Sequence, residues 1–128
     1  MTKTIAEISA AFASGDTTTV AETEAALAAI DASGGEGGRA FLKVYHDGAR
    51  SISRATDEAR KLGIAGGPLA GITISVKDLF DVAGEVTLAG SKVRDKSAPA
   101  LADAPIVARL RAAGAVIVGR TNMTEFAF

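Results

Sequence analysis

The segment Gly71-Ile-Thr-Ile-Ser-Val-Lys77 alternates residue by residue, and this pattern constrains the chain more than any other feature. Alternating β-branched residues fit a pleated strand. Ile72, Ile74 and Val76 fall on one face, and Thr73, Ser75 and Lys77 on the other. Further along, Asp103 can cap a helix with Pro105 in its first turn, carrying Ile106, Val107 and Leu110 and ending at Gly114. Ala115-Val-Ile-Val118 follows as a continuous apolar run, the mark of a strand buried on both faces. A strand, a helix and a strand in succession predict a parallel pair with a right-handed crossover. The stretch between Lys77 and Asp103 is irregular and long, and loops of that length in compact domains are usually functional.

Residues 1–66 read as mainly helical. Ile5, Ile8 and Phe12 stand at helical spacing, with Gly15 as the stop. Thr19-Val-Ala-Glu22 has the spacing of a capping box and opens an Ala-rich helix carrying Val20, Leu27 and Ile30. Ser33-Gly-Gly-Glu-Gly-Gly38 reads as a flexible loop whose glycines match no phosphate-binding spacing. Phe41–Tyr45 fits a short strand or extended segment. Asp47 can cap a third helix through about Leu62, with Ile52, Ala55, Ala59 and Leu62 on one face and Gly63 ending it. Gly66-Gly-Pro68 is a turn.

Composition narrows the function classes. A length of 128 residues suits one small core, and 48% hydrophobic with 23% charged residues is a globular balance. A net charge of -1 gives no bulk electrostatic case for nucleic acid or an anionic membrane. The absence of cysteine excludes disulfides, thiolate metal sites and a Cys nucleophile, and a single histidine, His46, excludes a His-rich metal centre. The N-terminus lacks the apolar core of a secretory signal, and no apolar stretch approaches the ~20 residues of a spanning helix. The expectation is a soluble, cytoplasmic protein with no membrane association.

Two stretches carry a resemblance. One is Gly67-Pro-Leu-Ala-Gly-Ile-Thr-Ile-Ser-Val-Lys-Asp-Leu-Phe-Asp-Val-Ala-Gly84, followed by Thr87-Leu-Ala-Gly-Ser91. The other runs from Asp103-Ala-Pro-Ile-Val through Ala-Gly-Ala-Val-Ile-Val-Gly-Arg-Thr-Asn-Met to Ala127. Val-Lys-Asp alone would be weak, but its combination with the second stretch at this distance is specific. Together they resemble the amidase signature family. The resemblance implies an α/β fold, with N-terminal helices followed by part of a mixed, mostly parallel sheet. Residues 1–66 would be the helical lead-in and 67–128 the lysine-bearing βαβ segment of one incomplete domain.

The same resemblance implies a Ser–cis-Ser–Lys triad with Lys77 as the lysine, and no metal or organic cofactor. The family's serines lie in a Gly-Gly-Ser-Ser-Gly-Gly-like signature that residues 1–128 do not contain, so no serine here is assigned as nucleophile. Ala127 and Phe128 would approach the acyl pocket. The implied activity is hydrolysis of a small-molecule carboxamide through an acyl-enzyme. The full-length enzyme could form a homodimer, with no direct nucleic-acid contact. An alternative within the family is the amidase subunit of a tRNA-dependent amidotransferase, although Asp78-Leu-Phe-Asp-Val82 looks more like the stand-alone amidases. An alternative of another class is a non-catalytic binding or assembly module. Residues 1–128 alone are expected to hydrolyse no amide, and the Ala115–Val118 strand is expected to lack some sheet neighbours.

Elementary chemistry supports the lysine role. A free lysine, with pKa near 10.4, cannot accept a proton at neutral pH. Moving it to about 7–8 takes roughly 3–5 kcal/mol of environmental bias, and the strand holding Ile72, Ile74 and Val76 is a candidate source. Strand alternation aims Asp78 away from the amine. From residue type alone, Lys77 reads as a solvated strand end, and the flanking match reverses those odds. Ser75 reads as an ordinary strand residue, Ser91 as a turn residue and His46 as a surface residue. Asp78, Asp81 and Asp103 read as turn and cap residues. Thr121–Phe126 reads as side-chain caps and core packing behind the site.

Overall fold

The computed structural model describes residues 3–32 and 34–128. Its centre is a mixed three-stranded sheet in the order β1 (Phe41–Val44), β3 (Val116–Thr121), β2 (Thr73–Lys77). β2 and β3 are parallel, with Thr73 opposite Val116 and Lys77 opposite Thr121, while β1 runs antiparallel to β3. The parallel register shifts between Ile74 and Ser75, so that Val118 is the extra residue on β3. The apolar run Ala115–Val118 is paired along β2, but on its other side only the Val118 carbonyl meets a strand partner among the described residues, the Tyr45 N–H, so the expected shortage of sheet neighbours is seen there. β1, a segment of the helical lead-in, closes β3's second edge over Gly119–Thr121.

Ala115, Val116, Ile117 and Val118 are all buried, as a strand between two layers requires. Val116 and Val118 pack with Leu27 and Ala49, with Ile30, Phe41 and Val44 around them. Ile117 faces the other way and packs with Val76, Val82 and Val107. Each such side chain contributes about 1.5–3 kcal/mol by leaving water. Helices α2 (Thr19–Asp31) and α4 (His46–Lys61) supply the first layer, and α5 (Pro105–Ala112) supplies the second.

The helix ends differ in detail from the sequence expectations. On α1 (Ile5–Ser14) the capping box is Thr4 with Glu7, and Gly15 ends the helix in the left-handed region as predicted. On α2 the cap is Thr18, whose hydroxyl accepts from the Ala21 N–H. Thr19 is instead fully buried, and Glu22 accepts from Lys3 and Thr17. Ser33 lies outside the described residues; beyond it a turn leads into a short helix, α3 (Gly37–Ala40), where only a loop was expected.

Helix α4 starts at His46, so Asp47 lies inside its first turn, where a carboxylate suits the helix dipole, and does not cap it. Its expected apolar face is also the wrong one. Ile52 and Leu62 are 40% and 76% exposed, whereas Ala49, Ser53 and Asp57 form the buried stripe. Small residues let α4 approach α2 closely, and Asp57 has a specific partner there: its carboxylate accepts from the Thr19 and Val20 N–H groups. Of the predicted α5 stripe, Val107 is fully buried and Ile106 is exposed. No helix among the described residues is long and apolar enough to cross a membrane.

Candidate active site

Lys77 ends β2 at the carboxyl edge of the parallel pair, where ligands bind in open α/β sheets. Its side chain is exposed and makes no hydrogen bond or ion pair among the described residues. Strand alternation explains this. Val76 points into the core at 3% exposure, and Lys77 points out. Ile72, Ile74 and Val76, the expected source of desolvation, lie on the face opposite the amine. The amine also lines neither of two surface cavities of about 490 and 460 Å³.

The residue after Lys77 behaves oppositely. Asp78 is 2% exposed and meets Arg120 of β3, itself 3% exposed, with Oδ1 2.6 Å from Nη2. Asp78 does sit in the expected turn, closed by the Phe80 N–H on the Lys77 carbonyl, and its carboxylate adds a buried ion pair that the turn role does not predict. Arg120 also donates to the Phe80 carbonyl at 3.0 Å and to Thr87 Oγ1 and Glu85 Oε2, both at 3.4 Å. Glu85 in turn accepts from Lys43 Nζ at 2.6 Å and Tyr45 Oη at 2.8 Å. Partial burial pushes the Glu85 carboxyl up, but bonds from Lys43 and Tyr45 and the charges of Lys43 and Arg120 outweigh it and hold it below the usual range. Burial, followed by the Glu85 carboxylate, raises the Tyr45 phenol well above its usual value. This polar network runs from the sheet edge to the foot of Lys77.

Two loops close over the same strand ends. Asp78 N–H donates to the Thr121 carbonyl, and the Asp78 carbonyl accepts from the Ala89 N–H. The Ala89 carbonyl accepts from the Phe126 N–H at 2.8 Å. Ala89, Phe126 and Ala127 are the non-glycine residues with positive φ among those described, at 52°, 48° and 65°. Each such residue costs about 1–3 kcal/mol, and strain of this kind gathers at functional sites. Gly90 sits between them at φ 69°, where a Cβ would lie 2.7 Å from the Met123 carbonyl oxygen.

The remaining candidates separate. Ser91 is buried and donates to Glu125 at 2.5 Å while accepting from Val93 N–H as the cap of a 3₁₀ turn over Lys92–Arg94. Ser75 is exposed on the Lys77 face and remains a strand residue. Ala127 and Phe128 are exposed at the sheet end that carries Lys77. Residues 124–128 are also exposed, which corrects the expectation of core packing there; Asn122 and Glu125 do act as local clasps. Asp81 accepts from Thr87 Oγ1, and Asp103 accepts from Ala83 N–H and Arg111, so Asp103 ties a loop and the α5 cap position falls to Ala104. His46 pairs with Asp31 at the surface. The network that sequence reasoning missed is Asp78–Arg120–Glu85–Tyr45. Its signal was present: an arginine one glycine beyond an apolar buried run, when itself buried, needs an anionic partner.

A family model described as Amidase matches residues 21–128. The chain belongs to the amidase family. It is 48% identical over 124 residues to a glutamyl-tRNA(Gln) amidotransferase subunit of Streptomyces coelicolor, covering 97% of this chain and 24% of that protein. It is 46% identical over 122 residues to AtzE, the 1-carboxybiuret hydrolase subunit of Pseudomonas sp. strain ADP, covering 95% and 26%. Among solved amidase structures, native peptide amidase from Stenotrophomonas maltophilia superposes with a TM-score of 0.81 at 35% identity, covering 95% of this chain and 25% of that one. The helices and mixed sheet are thus those of the amidase signature fold. The chain spans about a quarter of the length of the curated relatives it matches.

Proposed function

We propose that this chain is the lysine-bearing segment of an enzyme that hydrolyses a carboxamide C–N bond, with Lys77 as the base. The observation that carries the proposal is the split at the end of β2, where an exposed amine without a partner among the described residues stands beside a carboxylate locked away by Arg120. A base must reach its proton donor, and an adjacent free carboxylate would hold the amine protonated. Lys77, when neutral, takes the proton of a bridging serine, which activates a nucleophilic serine. That serine attacks the amide carbonyl, the C–N bond breaks with release of the amine, and water hydrolyses the acyl-enzyme. The serines belong to a Gly/Ser-rich signature that residues 1–128 do not contain, so these residues by themselves turn over no amide.

Residues 1–66 and 67–128 are parts of one domain on this proposal, and β1 joining β3 supports it. Ala127 and Phe128 lie toward the acyl group, supported by the Phe126–Ala89 bond that holds their turn at the Lys77 end of the sheet. Identity of 48% to a glutamyl-tRNA(Gln) amidotransferase subunit favours a second form of the same chemistry, in which the amidase works inside a multi-subunit assembly. That likeness counterweighs the stand-alone character suggested by Asp78–Val82.

The test is acyl transfer by the protein that carries this chain. With a primary carboxamide and hydroxylamine, hydroxamate should form at the expense of the acid while ammonia release continues. Ammonia release without partition to hydroxamate would exclude the acyl-enzyme. No release from any primary carboxamide, glutamine included, would leave a non-catalytic binding module.

A further inference from the structure

We infer that Asp78 and Arg120 are positioning residues for Lys77, an inference that rests on Lys77 being the base. The geometry is that of a clamp. Lys77 pairs with Thr121 across the parallel register, and Arg120 is the residue immediately before Thr121. Asp78, immediately after Lys77, is fixed by three separate contacts: its N–H to the Thr121 carbonyl, its carbonyl to the Ala89 N–H, and its carboxylate to Arg120. Arg120 then reaches the Phe80 carbonyl, Thr87 and Glu85, gathering both limbs of the loop that returns to Ala89. The direction in which Lys77 leaves the sheet is set by this pair on the opposite face.

As a stabilising device the pair is poor. Asp78 Oδ2 and Arg120 Nε are buried and have no hydrogen-bond partner among the described residues. A buried ion pair with unsatisfied atoms is commonly no better for stability than apolar residues of the same volume. Its value lies in orientation and in charge balance. The network holds Asp78 and Glu85 as anions against Arg120 and Lys43 as cations, so its formal charge is zero. The charged groups of this network and of the loops at the Lys77 end of the sheet are Asp78 and Asp81 from the chain that follows Lys77, Glu85 and Arg94 from the loop, Arg120 from β3, Lys43 from β1, and Glu125, which accepts from Ser91, from the last turn. Removing one charge of the central pair leaves the network unbalanced with a sign that depends on which residue is changed.

The experiment measures kcat and KM for amide hydrolysis against pH in the protein that carries this chain, for Asp78→Asn, Arg120→Met, Arg120→Lys and Lys77→Ala. The first two should lose about 10- to 100-fold in kcat with KM little changed, as a misplaced reacting group does. Because a base must be unprotonated, activity rises with pH along the acid limb. Asp78→Asn leaves a surplus cation and should move that limb down by about 0.5 pH unit; Arg120→Met leaves a surplus anion and should move it up by a similar amount. Arg120→Lys keeps the charge but loses the reach to Phe80, so kcat should fall with the limb in place. It also decides the matter if Arg120→Met does not fold. Limbs that stay put, or that move the same way in both charge-removing variants, overturn the inference while an inactive Lys77→Ala leaves the lysine reading standing. An active Lys77→Ala overturns both.

Discussion

Asp57 on α4 holds the N-terminus of α2, with its carboxylate oxygens 2.9 Å from the backbone nitrogens of Thr19 and Val20, the first of them 38 residues earlier in the chain. Arg60 completes the joint. It donates to Asp57 at 2.7 Å and to Thr19 Oγ1 and the Ala70 carbonyl, and its guanidinium lies 4.6 Å from the centre of the Phe12 ring. One ion pair therefore ties α1, α2, α4 and the turn entering β2.

Asp57→Ala should destabilise the fold by about 2–4 kcal/mol, since it removes a cap and leaves Arg60 without its partner. Urea unfolding measures this directly. Burial pushes the Asp57 carboxyl up, but the Val20 and Thr19 N–H groups and the Arg60 charge outweigh it, and the net value lies below the ordinary one. A depressed native pKa means that the contribution is complete above the unfolded value, near pH 4, and is lost as pH falls through the native value. Wild type should therefore lose stability in acid more steeply than Asp57→Ala does.

At Gly119 β3 has no room for a side chain beside β1. A Cβ there would lie 2.4 Å from the Lys43 carbonyl oxygen and 2.9 Å from the Phe41 ring. Gly119→Ala should cost about 1–3 kcal/mol through overpacking and should speed amide exchange in Phe41–Val44 before the β2–β3 ladder is affected. Equal exchange in β1 and β2 would contradict the proposed site of strain.

Tyr45 is the single tyrosine, so its phenol can be titrated without deconvolution. Burial and the bond to Glu85 raise its pKa. A raised native value means that its contribution is complete below the unfolded pKa of about 10 and fades as pH rises toward the native one. The ultraviolet titration should show a midpoint well above 10 in the folded protein and near 10 in urea. Glu85→Gln should lower the folded midpoint.

The β2–α5–β3 unit was legible because its signals are local. Alternation in Ile72–Val76, Pro105 in a first turn and the Ala115–Val118 run each name an element without help from distant residues. The position of β1 was not legible, since a four-residue segment carries no record of the strand it will join. The face of α4 was misassigned because Ile52 and Leu62 are more apolar than Ser53 and Asp57, yet Asp57 finds two backbone donors on α2 that no periodicity predicts. At the candidate site, Lys77 was found by its flanks. The exposure of its amine and the burial of Asp78 follow from one strand's alternation, but Arg120 as Asp78's partner required the parallel register with β3.

On the proposed function, Lys77 serves chemistry and not folding. Its side chain is exposed and unpartnered among the described residues, so Lys77→Met should change folding free energy by no more than about 0.5 kcal/mol. The decisive measurement is kcat/KM for carboxamide hydrolysis by the Lys77→Met form of the protein that carries this chain, beside its urea midpoint. A fall of about 10²–10⁴-fold is expected, the range for loss of a positioned base, with the midpoint unchanged. Turnover within a few-fold of wild type would contradict it, as would a loss that appears only together with unfolding.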